Sequence, residues 1–394
     1  MTDKTSHTVS VGVILALFLT VLVMRGPITG IGAVADELMA VLEIRYASYG
    51  FLSALPIVCF GLFCAAAPLL TARFGVNGVV IGSLGMILIG AAARLYLYYP
   101  TMLVATAFIG IGIALLNVVM PVVLRKYFPN NIALTMGVFT GLIGFSGSIG
   151  AYFSVPLLEK FETLLAPLGL WVIMAALPLL LWLFEKRSSD RMVTVGKINA
   201  SVLKKPLTWA VIFVMGMQSL TIYTTVAWLP SILATLDFDA STAGLGSAIF
   251  LLVSAPASIL TSRFISLVGG ERNASIWMTV SFLVGIVLWL QGGAFSYLGC
   301  VLAGIPQGIT FSLAMILMAQ KTNDLSELLI ISTLAQGIGY VLAAVGPFVC
   351  GLLYHGDGNW IGVAGFMMSA VLLWGVSAFY AFGTSKKLFT TGIN

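Results

Sequence analysis

The run LLTARF at Leu69–Phe74 recurs as ILTSRF at Ile259–Phe264, 190 residues further along the chain. A proline stands near the start of each copy, Pro68 and Pro256, and each copy is read as the end of the second apolar span of its half. A second match accompanies the first: Gly112 precedes Arg125 by 13 residues, and Gly308 precedes Lys321 by 13. Between the copies lies the longest polar stretch, EKRSSDRMVTVGKINASVLKK (Glu185–Lys205), with six basic residues. A six-residue match can arise by chance, but two matches flanking a polar linker divide the chain into halves. The reading is an amino-terminal half at 1–184, a linker at 185–206 and a carboxy-terminal half at 207–394.

Each half is a membrane bundle. Of the 394 residues, 60% are hydrophobic and 8% charged, with a mean hydropathy of +1.08; a soluble domain is about 25% charged. A window of about 20 apolar residues per crossing finds twelve spans, near 9–34, 46–70, 76–97, 99–123, 132–156, 163–184, 207–234, 241–264, 273–291, 295–319, 328–353 and 360–383. The first is too long for a signal peptide, whose apolar core is about 7–15 residues, and is expected to be retained. Cys59, Cys64, Cys300 and Cys350 all fall inside spans and read as small core residues. His7 and His355 are too far apart in sequence to suggest a metal. The expected fold class is all-α polytopic membrane protein, twelve helices in two six-helix bundles. Six spans separate equivalent positions, so the halves form a parallel repeat, as in major facilitator halves.

With both termini cytoplasmic, 15 of the 19 Lys and Arg residues fall on the inner side, as the positive-inside rule requires. The net charge of +5 is therefore a topology signal, and no nucleic-acid partner is expected.

One cation breaks the pattern. Arg25, in LFLTVLVMRGPITGIG (Leu17–Gly32), lies inside the first span. A guanidinium near the bilayer centre costs roughly 2.5–3.5 kcal/mol on insertion scales, and it cannot deprotonate to escape. It must face a wet cavity or a partner. Snorkelling is the alternative, since Arg25 is only about 5 Å outward from the span centre at 1.5 Å per residue. No Asp or Glu falls in the middle of any span, so a buried proton relay is not expected, and the cargo is the natural counter-ion. Other mid-span polar residues sit at similar depth: Asn117, Gln307, and Gln336 with Tyr340. In the seventh span Gln218, Thr221, Thr225 and Trp228 share a helical face, whereas Tyr223 points elsewhere. Each of these polar groups has interhelical packing as its plainer explanation; their common depth, midway through the membrane between repeats, favours a site. Pro230 is expected to break the outer end of that span. The glycines of the fifth and eleventh spans suggest a moving interface between halves, and Arg73 and Arg263 read as conformational latches.

FIGIGIALLNVVMPVVLRKYFP (Phe108–Pro129), QSLTIYTTVAWLPSIL (Gln218–Leu233) and AQGIGYVLAAVGPFVCGLLY (Ala335–Tyr354) resemble the cyanate permease and 2-nitroimidazole exporter family of the major facilitator superfamily. VMRGPITGIG is similar to that family's first-span arginine pattern, and AAARLYLYYP to its third-span end with Arg94. The resemblance covers most of the chain. It carries Arg25 over as the intramembrane cation, and Gln218, Tyr223, Trp228, Gln336 and Tyr340 fall in the family's recurring stretches. Two departures stand out. LLTARFGVNG lacks the acidic residue that usually precedes the loop arginine, here Arg73, and the Gly-rich signature and second intramembrane arginine of nitrate carriers are missing.

The expected function is a secondary active or facilitative transporter working by alternating access. Its cargo would be a small anion, cyanate-like or a small carboxylate, or a compact polar heterocycle. Arg25 would attract it, with Asn117, Gln218, Gln307 and Gln336 hydrogen bonding and Tyr223, Trp228 and Tyr340 stacking or closing. A monomer in a bacterial inner membrane, with no cofactor and no metal, is expected. Efflux of neutral or cationic drug-like compounds is the alternative within transporters. A non-transporting sensor is the other class, though only about ten residues follow the last span. An intramembrane enzyme would need paired carboxylates, a nucleophile with its base or a metal cluster, and no such pattern is visible.

Overall fold

Inside a bilayer the backbone must satisfy its own polar groups, so apolar spans fold as helices. The computed structural model describes residues 11–127, 132–184, 203–236, 238–321, 325–356 and 358–384. Residues 185–202 of the expected linker, with most of its basic residues, lie outside this set, as do Lys4, His7, Lys386 and Lys387. The first half comprises α1 (Val11–Leu22), α2 (Gly26–Ala33), α3 (Ala35–Leu42), α4 (Tyr46–Phe63), α5 (Ala67–Arg94), α6 (Tyr99–Tyr127), α7 (Ile132–Phe161) and α8 (Leu165–Phe184). The second comprises α9 (Pro206–Ala234), α10 (Ala240–Ile259), α11 (Thr261–Val268), α12 (Glu271–Trp289), α13 (Gly293–Gln320), α14 (Leu325–Leu353) and α15 (Ile361–Gly383). Among the described residues, twelve segments are long and apolar enough to cross a membrane, with α1 and α2 together forming the first. An even number of crossings brings Val11 and Gly383 to the same end of the bundle, called here the terminal end.

The repeated hexapeptides do not end their spans. In the first half α4 stops at Phe63 and a 3-10 turn, Cys64–Ala66, intervenes. A new helix then begins at Ala67, with Pro68 in its first turn, where a missing N–H costs nothing. Gly75, at φ 73° and ψ 167°, kinks α5 just after LLTARF. In the second half Ile259 closes α10, Leu260 is the junction, and Thr261–Phe264 open the separate α11, ended by Gly269 at φ 80°. Both positions need the left-handed backbone that glycine adopts without a Cβ penalty. Arg73 and Arg263 therefore ride on short helices at the terminal end, and both are exposed. Arg73 lies over the Phe74 ring at 5.3 Å; no carboxylate partner is seen for either among the described residues, so the latch reading gains no support.

Pro230 does not break the seventh span, because α9 continues helically through it to Ala234. The bond it deletes is tolerated within a helix whose neighbours bury it almost completely.

The two halves meet along α4 with α14 and along α7 with α10. A Cβ added at Gly50 would come 2.6 Å from the Pro347 carbonyl, and one at Gly61 would come 2.7 Å from the Gly337 carbonyl. Gly144 faces Ala255 across the second seam, and the Ser148 hydroxyl donates to the Ala248 carbonyl there at 3.4 Å. The remaining glycines of the expected moving interface divide. Gly150 packs on Thr29 and Gly26 of its own half, while Gly339 and Gly346 pack on Gly216 and Thr224 of theirs.

At the end away from the termini the seam is filled by aromatic rings. Tyr354 stacks on Trp360 at 3.7 Å, and Trp228 packs against Tyr46, Tyr49 and Trp360. The Trp228 indole donates to the Pro347 carbonyl at 3.0 Å. The Tyr49 hydroxyl lies 3.3 Å from the Ile31 carbonyl and 3.4 Å from that of Ala227, one in each half.

Candidate functional site

A cavity of about 480 Å3 lies between the halves. It runs from mid-bundle toward the terminal end, past Phe139, Ser258, Phe311 and Met315. Arg25, Asn117, Gln218, Tyr223, Gln307, Gln336 and Tyr340 are all on its wall, so seven of the eight expected site residues converge. Trp228 does not. It belongs to the aromatic closure described above, because helix α9 turns its indole toward α14 rather than toward the cavity. The cavity-facing side of α9 is Gln218, Ser219, Ile222, Tyr223 and Val226. That corrects the sequence reading, which had Thr221, Thr225 and Trp228 facing inward and Tyr223 facing away.

Arg25 sits at a gap in the first span. A regular helix would bond the Gly26 amide to the Leu22 carbonyl, four residues back. Instead the Ser146 hydroxyl is inserted between them: it accepts from the Gly26 N–H at 3.0 Å and donates to the Leu22 carbonyl. Pro27, having no N–H, cannot continue the ladder either. Arg25 itself adopts φ −132°, ψ −38° as α2 begins. Insertion of a side chain into the helix ladder is a recognised cause of a sharp bend. Gly26 lets the broken strand lie directly under Trp171, since a Cβ there would fall 1.8 Å from the indole ring.

The guanidinium points at rings as well as at the cavity. Its carbon lies 5.4 Å from the Phe60 centroid and 5.3 Å from that of Tyr223, and the Tyr340 hydroxyl lies beside it. The three rings form a cluster, with Phe60–Tyr340 centroids 5.6 Å apart and Tyr223–Tyr340 centroids 6.4 Å apart. Cation–π contacts contribute on the order of 0.5–2 kcal/mol each, more when desolvated. Two of them offset much of the roughly 2.5–3.5 kcal/mol insertion cost. Arg25 therefore does not depend on a carboxylate, and none lines the cavity among the described residues. Its Nη1 is buried with no hydrogen-bond partner.

The glutamines are organised as a pair. Gln307 Nε2 donates to the Gln218 backbone carbonyl at 3.1 Å and to its Oε1 at 3.2 Å. Thr221 donates to Gln307 Oε1 at 3.0 Å, and Gln218 Nε2 donates to Ser219 Oγ at 2.7 Å. This ties α9 to α13 and leaves the pair largely satisfied within the protein, which is the packing alternative weighed from sequence. Asn117 differs: its side-chain Nδ2 is buried, lines the cavity and has no partner.

Three contributors escaped the sequence reading. Ser146 holds the gap. Phe60 supplies a ring, with nothing in the sequence to separate it from any other core phenylalanine. Arg94, read as a charge at a span end, is 2% exposed; its Nη1 donates to the Pro27 carbonyl at 2.6 Å and its Nε and Nη2 to Thr106 Oγ1 at 3.2 and 2.9 Å. No cluster of three His, Cys, Asp or Glu suited to a metal occurs among the described residues.

Beyond the aromatic closure, a vestibule is lined by Asp36, Arg45, Tyr46 and His355. Asp36 Oδ1 accepts from the Ser231 hydroxyl of the other half at 3.5 Å. Surrounding protein desolvates this carboxyl and, with Glu37, holds its pKa above the usual 3.8, while the Ser231 bond opposes that shift.

Twelve crossing helices around a central, ligand-sized cavity define a membrane transporter. The chain belongs to the Major Facilitator Superfamily, matched over residues 13–344. It is 28% identical to the 2-nitroimidazole transporter of Escherichia coli K12 over 341 residues, 86% of each chain. It is 25% identical to the cyanate transport protein CynX of the same organism, over 88% of this chain and 91% of that one. It also shares 29% identity with the transporter YycB of Bacillus subtilis 168 over 90% and 89% of the two chains. The fold superposes on the nucleoside transporter NupG with a TM-score of 0.75 at 15% identity, covering 95% of this chain and 98% of that one. These relatives and folds are transporters, not enzymes, and the resemblance to the cyanate and 2-nitroimidazole carriers holds along the chain.

Proposed function

We propose that this protein carries a compact anion or an electron-rich planar heterocycle across a bacterial inner membrane by alternating access. The observation behind the reading is the Arg25 guanidinium on the cavity wall, with a buried, unpartnered Nη1 and no carboxylate on that wall among the described residues. The relatives named for cyanate and 2-nitroimidazole agree with cargo of this size and polarity. A ring-lined cation suits a flat molecule, which can bond to the guanidinium edge while stacking on Phe60, Tyr223 or Tyr340. Asn117 offers a second donor. The halves 1–184 and 207–394 move against each other, the protein acts as a monomer, and both termini face the cytoplasm, as 15 of 19 basic residues on that side favour. Coupling runs through exchange or the charge of the cargo.

The test is uptake into proteoliposomes, and thermal stabilisation of purified protein, with cyanate, small carboxylates and 2-nitroimidazole. Arg25→Ala should lower apparent affinity by about 100-fold or more, the scale of losing a charged hydrogen bond plus its ring contacts. Arg25→Lys should fall between, since an ammonium keeps the charge but loses the planar fork. Wild-type uptake by the alanine variant sinks the proposal.

A further inference from the structure

Three consecutive residues of α7 touch both the broken first span and the opposite half. Ser146 fills the gap in the helix ladder between Leu22 and Gly26. The Gly147 carbonyl accepts from Thr29 Oγ1 at 2.8 Å, and a Cβ at Gly147 would lie 3.1 Å from Leu251 of α10 and 3.8 Å from the Arg25 Cβ. Ser148 then donates across the seam to the Ala248 carbonyl of α10. On the other flank of the gap, the buried Arg94 grips the Pro27 carbonyl and is itself fixed by Thr106. Neither Ser146 nor Arg94 reaches the cavity, so neither can act by touching cargo.

We propose that Ser146 and Arg94 are positioning residues for Arg25, and that the Ser146–Ser148 turn links the pose of this cation to the contact between the halves. The inference rests on the reading of Arg25 as the cargo's cation. Its physical basis is a choice between two arrangements. While the Ser146 hydroxyl occupies the ladder, the helix stays open at residue 25 and the guanidinium faces the rings and the cavity. If α7 shifts along α10 and withdraws the hydroxyl, the Gly26 amide must either rebond to Leu22, which rewinds the helix and turns Arg25, or stand unpaired in the core, which is costly. Movement at the seam is thus converted into a change of the cation's orientation.

Two measurements test this on the full-length protein. The first needs no ligand: hydrogen–deuterium exchange of peptides covering 22–30. Ser146→Ala should change the exchange rate there by about fivefold or more in either direction, the scale of one buried backbone bond remade or lost. Ser275→Ala, which removes a hydroxyl bonded to the Glu271 carbonyl within α12, should leave it unchanged. The second is a double-mutant cycle in apparent affinity, with 2-nitroimidazole and cyanate as probes. Ser146→Ala and Arg94→Lys should each weaken affinity about tenfold in the wild-type background and less than about twofold on top of Arg25→Ala, because residues acting through a common group are not additive. Unchanged exchange in Ser146→Ala overturns the proposal, and so do losses that persist in full in the Arg25→Ala background. If Arg25→Ala binds both probes normally, the reading of Arg25 fails instead, and the exchange experiment alone decides whether Ser146 holds the gap.

Discussion

A positive charge in an apolar span poses a solvation problem, and Arg25 answers it with rings. Counting carboxylates in the sequence suggested that only the cargo could balance this cation. The tertiary structure supplies Phe60 and Tyr223 at 5.4 and 5.3 Å, enough to keep the guanidinium stable in the absence of ligand while its Nη1 keeps no hydrogen-bond partner. It follows that the ring matters more than the phenol at position 223. Tyr223→Phe should leave melting temperature and affinity within about twofold of wild type, whereas Tyr223→Leu should cost about 1 kcal/mol, near fivefold in affinity. Equal losses in the two variants would show that the hydroxyl, not the ring, carries the role. Asn117 belongs to the same scale: its unpartnered Nδ2 predicts that Asn117→Leu weakens binding of acceptor-bearing cargo by about 1–2 kcal/mol without lowering melting temperature, read by titration against thermal unfolding.

Among the elements, the broken first span is tightly specified by its neighbours. Its path under Trp171 exists because Gly26 has no side chain, and a methyl there would sit 1.8 Å from the ring. Gly26→Ala should therefore destabilise the fold by about 1–3 kcal/mol, the usual range for overpacking a dense core, seen as a lowered melting temperature in detergent. The double variant Gly26→Ala/Trp171→Leu should recover part of that loss, and no recovery would mean that the clash lies elsewhere. The short helices carrying Arg73 and Arg263 make the opposite point. Their sequence repeat was plain, yet breaks at Cys64–Ala66 and Leu260 set them apart from the preceding spans, and Gly75 and Gly269 take positive φ just beyond them, backbone choices that an apolar window cannot register.

For the whole molecule, the arrangement is a cavity extending toward the terminal end and an aromatic closure at the other. Asp36 and Ser231 face each other across that closure at 3.5 Å, and the four native cysteines are buried. The pair Asp36→Cys/Ser231→Cys should cross-link under mild oxidation, stop transport and recover it on reduction; transport by the cross-linked form would rule out alternating access. Acidity should favour the same closure. The closed arrangement raises the Asp36 pKa above 3.8, so it binds a proton more tightly than the open one. Closure is then strongest below about pH 3.8 and weakens as pH rises through the shifted value, and Asp36→Asn should remove that dependence in an accessibility assay at the vestibule beyond the aromatic closure.

The sequence by itself determined the class of fold, because hydropathy, the polar break near the middle and the repeated hexapeptide are properties of linear order. It also located Arg25, since a charge in an apolar run is conspicuous whatever surrounds it. Depth along a helix was legible for Asn117, Gln307, Gln336 and Tyr340 in the same way. Rotation was not: the inward face of α9 is set by how α14, α15, α10 and α13 pack around it, and a helix buried on nearly every side gives no amphipathic stripe to read. That is why the face read from spacing turned Trp228 inward and Tyr223 away. Only the tertiary structure decided what holds the cation, because Ser146, Arg94 and Phe60 come to it from residues far away in the chain, and contacts of that range are fixed by packing rather than by any local pattern.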